Sequence, residues 1–573
     1  MAVTCEGSAP AILLTMAVTQ RLLAALLVVT LAGEARGQGS PDVAALGYID
    51  AAARELLRED GTPGLALAIV ADDRVVAVRA YGFADLATRT PVGPETRFLA
   101  GSISKTFTAA ALLQLQEEGV VDLQRPLADY LPWFRPRSRF GPITLHHLLT
   151  HTAGLPRDRS DLPSSPYTAL ALRDRELTAE PGSRFAYSNL GYQLLSLAIE
   201  EVEGRPFAES IRQRILQPLD MTGSAAEVTQ DARLTTATGY QYLHDDRPPA
   251  PGDPLVPASW GEYSAGDANI VTTAPDLARF LAGLLAQGGG GRHRLLQPAS
   301  FARMVQRTVP TPELGPEAFY GYGVILAMRN GNPVLWHSGA VPGYRSMLLG
   351  DADERLGVVV LMNGPGNPRR LAEYALDVLV AARRGRPLPP VVEALPPDSV
   401  PDAGDYAGRY VGSEGDSVDV VAAGERLWLV DGATRHPLFR IGEPGHFVAR
   451  DSAWRRFPLV FGREGGRVVE LSAGDRWYAG RSYQGPRTFK APPEWAAYRG
   501  HYRALVPYSS NYRVVLRKGT LRLVTPDGAE EVLVPQGRGD FTVGSSDAGV
   551  ERASFRDVVS GRALRLNLSG TDY

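Results

Sequence analysis

The stretch Gly101-Ser102-Ile103-Ser104-Lys105-Thr106-Phe107 places a lysine three residues after a serine. Strand-like residues and a glycine precede the serine, and apolar residues at helical spacing follow it over residues 103–118. Residues i and i+3 share a helix face, so the Lys105 amine can reach the Ser102 hydroxyl. The pattern predicts a nucleophile beside a base at a helix N-terminus, where backbone N–H groups can stabilise a developing oxyanion.

Lys105 stands out because the chain carries its positive charge almost entirely on arginine. Of the 60 basic side chains, 57 are arginines and three are lysines, namely Lys105, Lys490 and Lys518. Arginine keeps its proton in essentially every protein setting, whereas a desolvated lysine can lose its proton and act as a base. Lys105 is therefore a candidate for proton transfer, with a solvated surface lysine as the alternative.

Length and charge set limits on the class of protein. At 573 residues the chain is too long for one small domain, and about three to four domains are expected. A net charge of −3 and a pI of about 6.4 give no reason to expect nucleic acid or an anionic membrane as a partner. The hydrophobic content of 44% is typical of ordinary globular cores.

The N-terminal segment predicts export. A basic residue precedes the apolar run of residues 22–32, and small residues follow it, as in a secretory signal peptide. We expect a signal peptide over residues 1–37, cleaved between Ala35 and Gln38, with Met16 as an alternative start because Met-Ala-Val-Thr occurs there again. The mature protein would be periplasmic or extracellular, without a stable membrane span. An uncleaved amphipathic anchor is the alternative.

Cysteine and histidine usage bears on metal sites. The only cysteine, Cys5, precedes the predicted cleavage point, so the mature protein should have no disulfide, thiolate metal site or cysteine nucleophile. His146, His147 and His151 suggest a metal site because i and i+4 share a helical face. No carboxylate stands at ligand spacing, so packing is the favoured interpretation, and we expect neither a metal nor an organic cofactor.

Residues 42–384 mix helical and strand patterns and predict an α+β fold, with an antiparallel sheet flanked by helices. The predicted elements are a helix over residues 42–58, a β-hairpin of residues 66–70 and 75–78, helices over residues 103–118 and 190–203, a strand over residues 358–362 and a closing helix over residues 370–383.

The C-terminal third differs from the first domain in its residue pattern. Prolines crowd residues 385–402 and predict a semi-rigid linker. The remainder reads as short strands and contains an internal repeat at an offset of 92 to 95 residues. The repeat predicts two small antiparallel barrels, over residues 403–488 and 494–573. Its aromatic pairs are Tyr406 and Tyr498, Tyr410 and Tyr502, Phe447 and Phe541, and Phe461 and Phe555.

Two further motifs follow the serine at long range: Tyr187-Ser188-Asn189 and Trp336-His337-Ser338-Gly339-Ala340. In this order and spacing the chain resembles the penicillin-recognising serine hydrolases over about residues 45–384. It looks most like the group of class C β-lactamases, D-aminopeptidases and related esterases, and its two β domains resemble those of D-aminopeptidase. Supporting segments are residues 148–155, 263–267, 272–280 and 358–363.

The resemblance implies a β-lactamase/transpeptidase-like catalytic domain with assigned site residues. For the chemistry it assigns Ser102 as the nucleophile and Lys105 and Tyr187 as its proton acceptors. Asn189 would orient substrate amide groups, and the backbone N–H groups of Ser102 and Ala340 would form the oxyanion hole. The full set implied for substrate and oxyanion binding is Asn189, His337, Gly339 and Ala340.

One departure affects the expected substrate. Class C β-lactamases usually carry lysine where His337 stands, and histidine is only partly charged near neutral pH. The difference disfavours strong β-lactam hydrolysis and favours esterase or D-amino-acid peptidase chemistry. Tyr192 and Trp336 are expected in the core or pocket wall, and Arg345 either meets a substrate carboxylate or forms a surface ion pair.

We therefore expect an exported serine hydrolase that forms an acyl-enzyme with a small ester, amide or D-amino-acid peptide. Two alternatives remain open. One is a catalytically weak penicillin-binding protein that senses peptidoglycan, with cell-wall fragments as its partners, and the other is a true class C-like β-lactamase.

Overall fold

The computed structural model describes residues 43–573 apart from residues 157–164, 173–175, 178, 290–293, 392–395, 451–453, 506–509 and 545–550. The predicted signal peptide lies outside the described residues.

The helices of the first domain match those predicted from periodicity. The helices predicted over residues 42–58, 103–118, 190–203 and 370–383 are α1, α2, α6 and α11, to within two residues at either end. The helices are α1 Val43–Asp60, α2 Ser104–Glu117, α3 Leu127–Tyr130, α4 Leu145–Leu149, α5 Ser165–Leu172, α6 Asn189–Glu203, α7 Phe207–Ile211, α8 Gln230–Arg233, α9 Ala274–Leu285, α10 Pro298–Met304 and α11 Pro368–Arg383, with 3₁₀ turns at Gly101–Ile103 and Pro312–Leu314 and a π turn at Arg212–Leu216.

The strands of this domain build one large antiparallel sheet and two small ladders. They are β1 Gly64–Ala71, β2 Arg74–Asp85, β3 Thr90–Pro91, β4 Phe98–Leu99, β5 Tyr240–Tyr242, β6 Leu255–Pro257, β7 Val271–Thr272, β8 Val309–Pro310, β9 Phe319–Tyr320, β10 Ile325–Arg329, β11 Asn332–Val341, β12 Tyr344–Asp351 and β13 Leu356–Met362. The large sheet has nine strands in the order β3-β2-β1-β13-β12-β11-β10-β9-β8, and β4 pairs with β7 and β5 with β6. Asp72 and Asp73, both at positive φ, form the turn of the predicted β1–β2 hairpin.

Helices cover both faces of the large sheet, which is why β1 is buried along its whole length. On one face, α1 and α11 pack over the sheet through residues such as Ile49, Leu67 and Leu376. On the other face, α9 packs against the sheet, and Phe280 of α9 stacks on Phe107 of α2. The helix that follows Ser102 is therefore enclosed in the core.

Two paired glycines let α9 approach the centre of the sheet. Gly350 of β12 lies opposite Gly357 of β13. A Cβ atom would come within 2.7 Å of the Leu285 side chain at Gly350 and within 2.6 Å of the Leu281 side chain at Gly357. The close approach of helix and sheet at this point therefore favours glycine, because any side chain would displace these leucines.

Two β units follow the first domain. The first contains α12 Ala403–Tyr406, β14 Gly408–Gly412, β15 Ser417–Ala423, β16 Arg426–Asp431, β17 Thr434–Arg440, β18 His446–Ala449, β19 Leu459–Glu464, β20 Arg467–Ala473 and β21 Arg476–Ala479, and it is a closed barrel. The second begins with a 3₁₀ turn at Pro493–Tyr498 and forms an eight-stranded sheet in chain order. Its strands are β22 Gly500–Arg503, β23 Asn511–Arg517, β24 Thr520–Val524, β25 Glu530–Gly537, β26 Asp540–Val543, β27 Arg552–Val559, β28 Arg562–Leu568 and β29 Thr571–Asp572.

The internal repeat has the same contacts in both units. The Tyr410 hydroxyl donates to the Tyr406 carbonyl at 2.8 Å, and the Tyr502 hydroxyl donates to the Tyr498 carbonyl at 2.8 Å. In each unit the second tyrosine packs on the repeated phenylalanine, with ring centroids 5.7 Å and 5.8 Å apart. The sequence repeat thus corresponds to a repeated aromatic core.

The proline-rich segment is attached at both ends. The Tyr374 hydroxyl of α11 donates to the Pro389 carbonyl at 3.1 Å. At the other end, the backbone N–H of the buried Val400 donates to the Glu425 carbonyl of the barrel at 2.6 Å. The segment is therefore held to folded structure at Pro389 and Val400, while residues 385–387 are exposed.

Residues 243–254, between β5 and β6, form an arm that reaches both β units. Arg455 of the barrel donates to the Pro248 carbonyl and pairs with Asp253. Ser510 of the second unit donates to Asp245 at 2.8 Å. The arm is therefore an anchoring element of the first domain, a role that the sequence did not suggest.

Lys518 joins the two β units to each other. It lies in the β23–β24 turn, and its Nζ is 5.4 Å from the ring centroid of Trp477, 5.3 Å from that of Tyr483 and 5.9 Å from that of Phe489. The same Nζ donates to Glu470 at 2.8 Å. An ammonium inside this aromatic cage gains cation–π attraction in addition to its ion pair with Glu470.

Candidate active site

Strand β11 lies directly against the turn that carries Ser102. Gly101 has a φ of +54°, and a Cβ atom there would lie 2.8 Å from the Ala340 nitrogen. A Cβ atom at Gly339 would lie 1.9 Å from the Ala100 carbonyl oxygen. Glycine at both positions therefore lets the backbones meet, and it brings the Ala340 N–H beside the Ser102 turn, as the predicted oxyanion hole requires.

Lys105 is fully buried, and its amine has three hydrogen-bond partners. Nζ donates to Ser102 Oγ at 3.0 Å, to Asn189 Oδ1 at 2.7 Å and to the Asp267 carbonyl at 3.0 Å. A buried ammonium requires such partners because burial removes its water. The same three positions also suit a neutral amine, which would donate to Asn189 and Asp267 and accept the proton of Ser102.

The second motif forms the N-terminus of α6. Ser188 is the N-cap residue, and its Oγ accepts from the Gly191 N–H at 3.2 Å. Asn189 follows as the first helical residue, from which its amide reaches Lys105. Tyr187 precedes the cap, and its ring centroid lies 4.9 Å from Lys105 Nζ. The structure thus places these predicted site residues around one amine.

His337 is almost fully buried, and both of its ring nitrogens have partners. Nδ1 lies 2.7 Å from the Ser338 carbonyl, and Nε2 lies 3.1 Å from the Tyr320 hydroxyl. A neutral ring that donates from Nδ1 and accepts at Nε2 satisfies both contacts. Burial lowers the pKa of His337 to about 3, and the charge of Lys105 acts in the same direction. The expectation of a partly charged histidine is therefore wrong, because burial keeps the ring neutral.

The three neighbouring histidines have separate surroundings. His146 Nδ1 lies 2.8 Å from the Tyr322 hydroxyl. His147 Nδ1 accepts from the Thr144 N–H at 3.2 Å in a capping box of α4. His151 lies beyond the end of α4 and faces the ring of Tyr187 at 4.3 Å between centroids. Within the described part of the chain, no group of three or more metal-ligating side chains is placed to hold a metal ion.

Sequence reasoning missed two groups that contact the predicted site. One is the backbone carbonyl of Asp267, which accepts from Lys105, and a carbonyl has no residue-type signal. The other is Tyr320 on β9, a fully buried ring whose hydroxyl contacts His337. The segment 263–267 was recognised through the resemblance, but nothing in the sequence indicated Tyr320.

The sequence predicted core or pocket-wall positions for Trp336 and Tyr192 and a charge interaction for Arg345. Trp336 is buried in the core beneath α1 and α11. Tyr192 is fully buried, and its hydroxyl donates to the Leu149 carbonyl at 2.8 Å. Arg345 donates to the Val341 carbonyl at 3.1 Å. Burial lowers the pKa of Arg345, and the charge of Asp527 in the second β unit opposes that shift.

Comparison with known protein families decides the relationship of this chain. A family model described as Beta-lactamase matches residues 49–382. The chain belongs to the Beta-lactamase family.

Individual curated proteins are similar to the chain over part of its length. D-aminopeptidase of Brucella ovis is 31% identical over 344 residues, which are 57% of this chain and 61% of that protein. Protein flp of Staphylococcus aureus strain N315 is 26% identical over 321 residues, 54% of this chain and 61% of that protein. The chain spans about three fifths of the length of these curated relatives.

Solved structures resemble the chain as well. An octameric penicillin-binding protein homologue from Pyrococcus abyssi has a TM-score of 0.56 and 26% identity, covering 76% of this chain and 99% of that one. EstCE1, a hydrolase with promiscuous acyltransferase activity, has a TM-score of 0.50 and 25% identity, covering 58% of this chain and 98% of that one.

Among the helices that the structure describes, none has both the length and the apolar character needed to cross a membrane.

Proposed function

We propose that the protein is an exported serine hydrolase that forms an acyl-enzyme on Ser102 and then hydrolyses it. The observation that carries this proposal is the 3.0 Å contact between Lys105 Nζ and Ser102 Oγ. Asn189 and the Asp267 carbonyl hold the amine at its two other contacts. A hydroxyl is a weak nucleophile until a neighbour takes its proton, and a neutral Lys105 amine is placed to do so.

The proposed steps conserve protons. In acylation, the oxygen of Ser102 attacks the substrate carbonyl, and its proton passes to Lys105 with Tyr187 beside it. The N–H groups of Ser102 and Ala340 stabilise the oxyanion. The proton then passes to the leaving alcohol or amine. In deacylation, a water molecule gives its proton to the same base and releases the acid, with Ser102 recovering its hydrogen.

The neutral state of His337 favours substrates that have no carboxylate next to this residue. A cation at this position would attract a substrate carboxylate, whereas a neutral imidazole bonded to Tyr320 offers no such charge. We therefore propose small esters, D-aminoacyl amides, and D-amino-acid peptides whose carboxylate lies away from His337 as substrates. The names of the D-aminopeptidase and hydrolase relatives support this class.

Export is proposed from the predicted signal peptide of residues 1–37. Expression of the full chain with its N-terminus, followed by fractionation and N-terminal sequencing, tests it. A mature start near Gln38 in the exported fraction is expected, and an intact N-terminus retained with the membrane would contradict cleavage.

A fluorophosphonate probe tests the acyl-enzyme. Wild-type protein should be labelled once, and Ser102→Ala should not be labelled although it remains folded. A panel of nitrophenyl esters, D-aminoacyl amides, D-Ala-D-Ala peptides and a chromogenic cephalosporin then separates the candidates. Preference for the cephalosporin would indicate a β-lactamase, and binding of peptidoglycan fragments without labelling would indicate a sensor.

A further inference from the structure

The buried histidine behind Tyr187 has no role in the steps proposed above. His151 is 1% exposed, and its φ of +57° lies in the left-handed region. Residues with side chains adopt that conformation uncommonly, and strained backbone of this kind is concentrated at functional sites. The position therefore calls for an explanation beyond packing.

Two hydrogen bonds tie His151 to the chain on either side of Tyr187. The His151 carbonyl accepts from the Ala186 N–H at 2.7 Å. The His151 Nδ1 accepts from the Ser188 N–H at 3.0 Å. Because Ala186 and Ser188 flank Tyr187, these bonds fix the backbone on both sides of the tyrosine.

The imidazole ring also contacts the tyrosine ring. The centroid of His151 lies 4.3 Å from that of Tyr187, 5.0 Å from that of Tyr192 and 4.7 Å from that of Tyr320. Since Nδ1 accepts a hydrogen bond, a neutral ring carries its proton on Nε2. Nε2 is buried and has no hydrogen-bond partner among the described residues, so its N–H lies among aromatic rings. N–H groups interact weakly but favourably with such rings.

The charged and titratable groups around His151 favour the neutral ring. Burial is the main cause that lowers the pKa of His151 well below its usual value, and a proton on either of the two titratable neighbours, Lys105 or His337, would act in the same direction. A neutral Nδ1 can keep accepting from Ser188, whereas an imidazolium could not.

We infer that His151 is a positioning residue that holds Tyr187 beside Lys105 through its carbonyl, its Nδ1 and its ring. The inference rests on the proposed function, because it concerns the same site. The family resemblance assigned no role to this residue, and the sequence favoured plain packing.

Three variants test the inference in the full chain. His151→Leu removes the acceptor, while His151→Asn supplies an amide oxygen as acceptor and tolerates the left-handed backbone. His147→Leu is the matched control, because His147 also accepts a backbone N–H in the same segment but caps α4. His151→Leu should lower the kcat for a nitrophenyl ester about 100-fold with KM changed less than about twofold. His151→Asn should recover most of that loss, and His147→Leu should keep the wild-type kcat.

Several results would overturn the inference. A folded His151→Leu protein with wild-type kcat, or with a loss equal to that of His147→Leu, would leave His151 as packing. If the kcat of His151→Asn were no higher than that of His151→Leu, the hydrogen bond from the Ser188 N–H to Nδ1 would have no role in positioning Tyr187.

A second measurement tests the inference even if His151→Leu does not fold. Imidazole nitrogen NMR of wild-type protein, with His151 assigned through His151→Asn, should show a neutral ring protonated on Nε2 from about pH 5 to about pH 8. A titrating ring, or one protonated on Nδ1, would refute the tether. If wild-type protein is not labelled by fluorophosphonate, the proposed function fails, whereas labelled protein with unaffected His151 variants contradicts only this inference.

Discussion

The Nζ atom of Lys105 lies 2.7 Å from Oδ1 of Asn189, nearer than the 3.0 Å that separates it from the Ser102 hydroxyl. The shortest contact of the proposed base is therefore with a neutral amide. A neutral acceptor orients the amine without a charge that would hold its proton, which is what a base requires.

Replacing that amide with a carboxylate tests this arrangement. Asn189→Asp has nearly the same shape, but it places a negative charge beside the Lys105 amine. This charge favours the protonated amine. We expect acylation near neutral pH to fall about 100-fold, with the rate recovering at higher pH. Rates of fluorophosphonate labelling across pH give the measurement, and Asn367→Asp at the start of α11 is the control for an added charge. Equal rates in Asn189→Asp and wild type would show that Lys105 does not act as a base.

Lys105→Arg should be almost as damaging as Lys105→Ala, although it keeps the positive charge. Guanidinium does not accept the serine proton, and its planar shape cannot meet the three partners of the amine. Both variants should lose about 1000-fold or more in kcat/KM on a nitrophenyl ester. Lys490→Arg, at a lysine outside the site, should keep full activity. An active Lys105→Arg enzyme would leave Lys105 with an electrostatic role only.

His337 should make the protein sensitive to acid. Its pKa is about 3 in the folded protein, below the ordinary value of 6.5, so the unfolded chain binds a proton that the folded protein excludes between these values. The contribution is present above about pH 6.5 and is lost as the pH falls toward 3. Wild type should lose up to about 1.4 kcal/mol more stability per pH unit than His337→Gln in this window. Urea unfolding at several pH values checks it, and parallel pH profiles would contradict the burial argument.

The arm of residues 243–254 should contribute to stability through its buried ion pair. The Arg455 side chain is 8% exposed and that of its partner Asp253 is 19% exposed. Arg455→Met should destabilise the protein by about 2 kcal/mol or more, because it leaves a largely buried carboxylate without its cation. Arg456→Met, at the adjacent exposed arginine, is the matched control and should have little effect. Thermal unfolding and proteolysis of the arm give the readouts, and equal effects of the two variants would mean that the pair is not an anchor.

Truncation after Arg384 should separate the chemistry from the β units. The first domain has its own core, so a protein ending there should still acylate small esters, but with lower stability because the arm loses its partners. The resemblance to D-aminopeptidase implies that an appended β unit limits the size of the substrate, and we expect the same here. The ratio of activity on large and small substrates should therefore rise. An unchanged ratio would assign the β units to stability or docking, and a protein that does not fold would show that the interface is essential.

The sequence predicted the parts of this protein that have local patterns. Helical periodicity located α2, α6 and α11, and motif order identified Ser102, Lys105 and Asn189, which the structure brings together. The helix positions are confirmed, and these three side chains lie in contact, because residue type and spacing along the chain carry that information. The catalytic roles of the three residues stay predictions.

Other features depend on contacts between distant segments. The carbonyl of Asp267 is chemically the same as any other carbonyl, so only the fold selects it. The neutrality of His337 follows from burial under Tyr320, which no spacing rule indicates. The partners of the arm, such as Arg455 and Ser510, lie about 200 residues or more further along the chain. Pairings of this kind are set by tertiary packing.

The central ladder between β1 and β13 has a consequence for the order of events during synthesis. Leu65 pairs with Met362, so the middle of the sheet cannot be completed until nearly 300 further residues have left the ribosome. Long-range pairing of this kind slows folding, because the chain loses the entropy of loop closure before the stabilising contacts form. The nascent first domain therefore remains incomplete through most of its translation. If the protein is exported as proposed, this delay gives a translocation machinery time to engage the chain before its core can close.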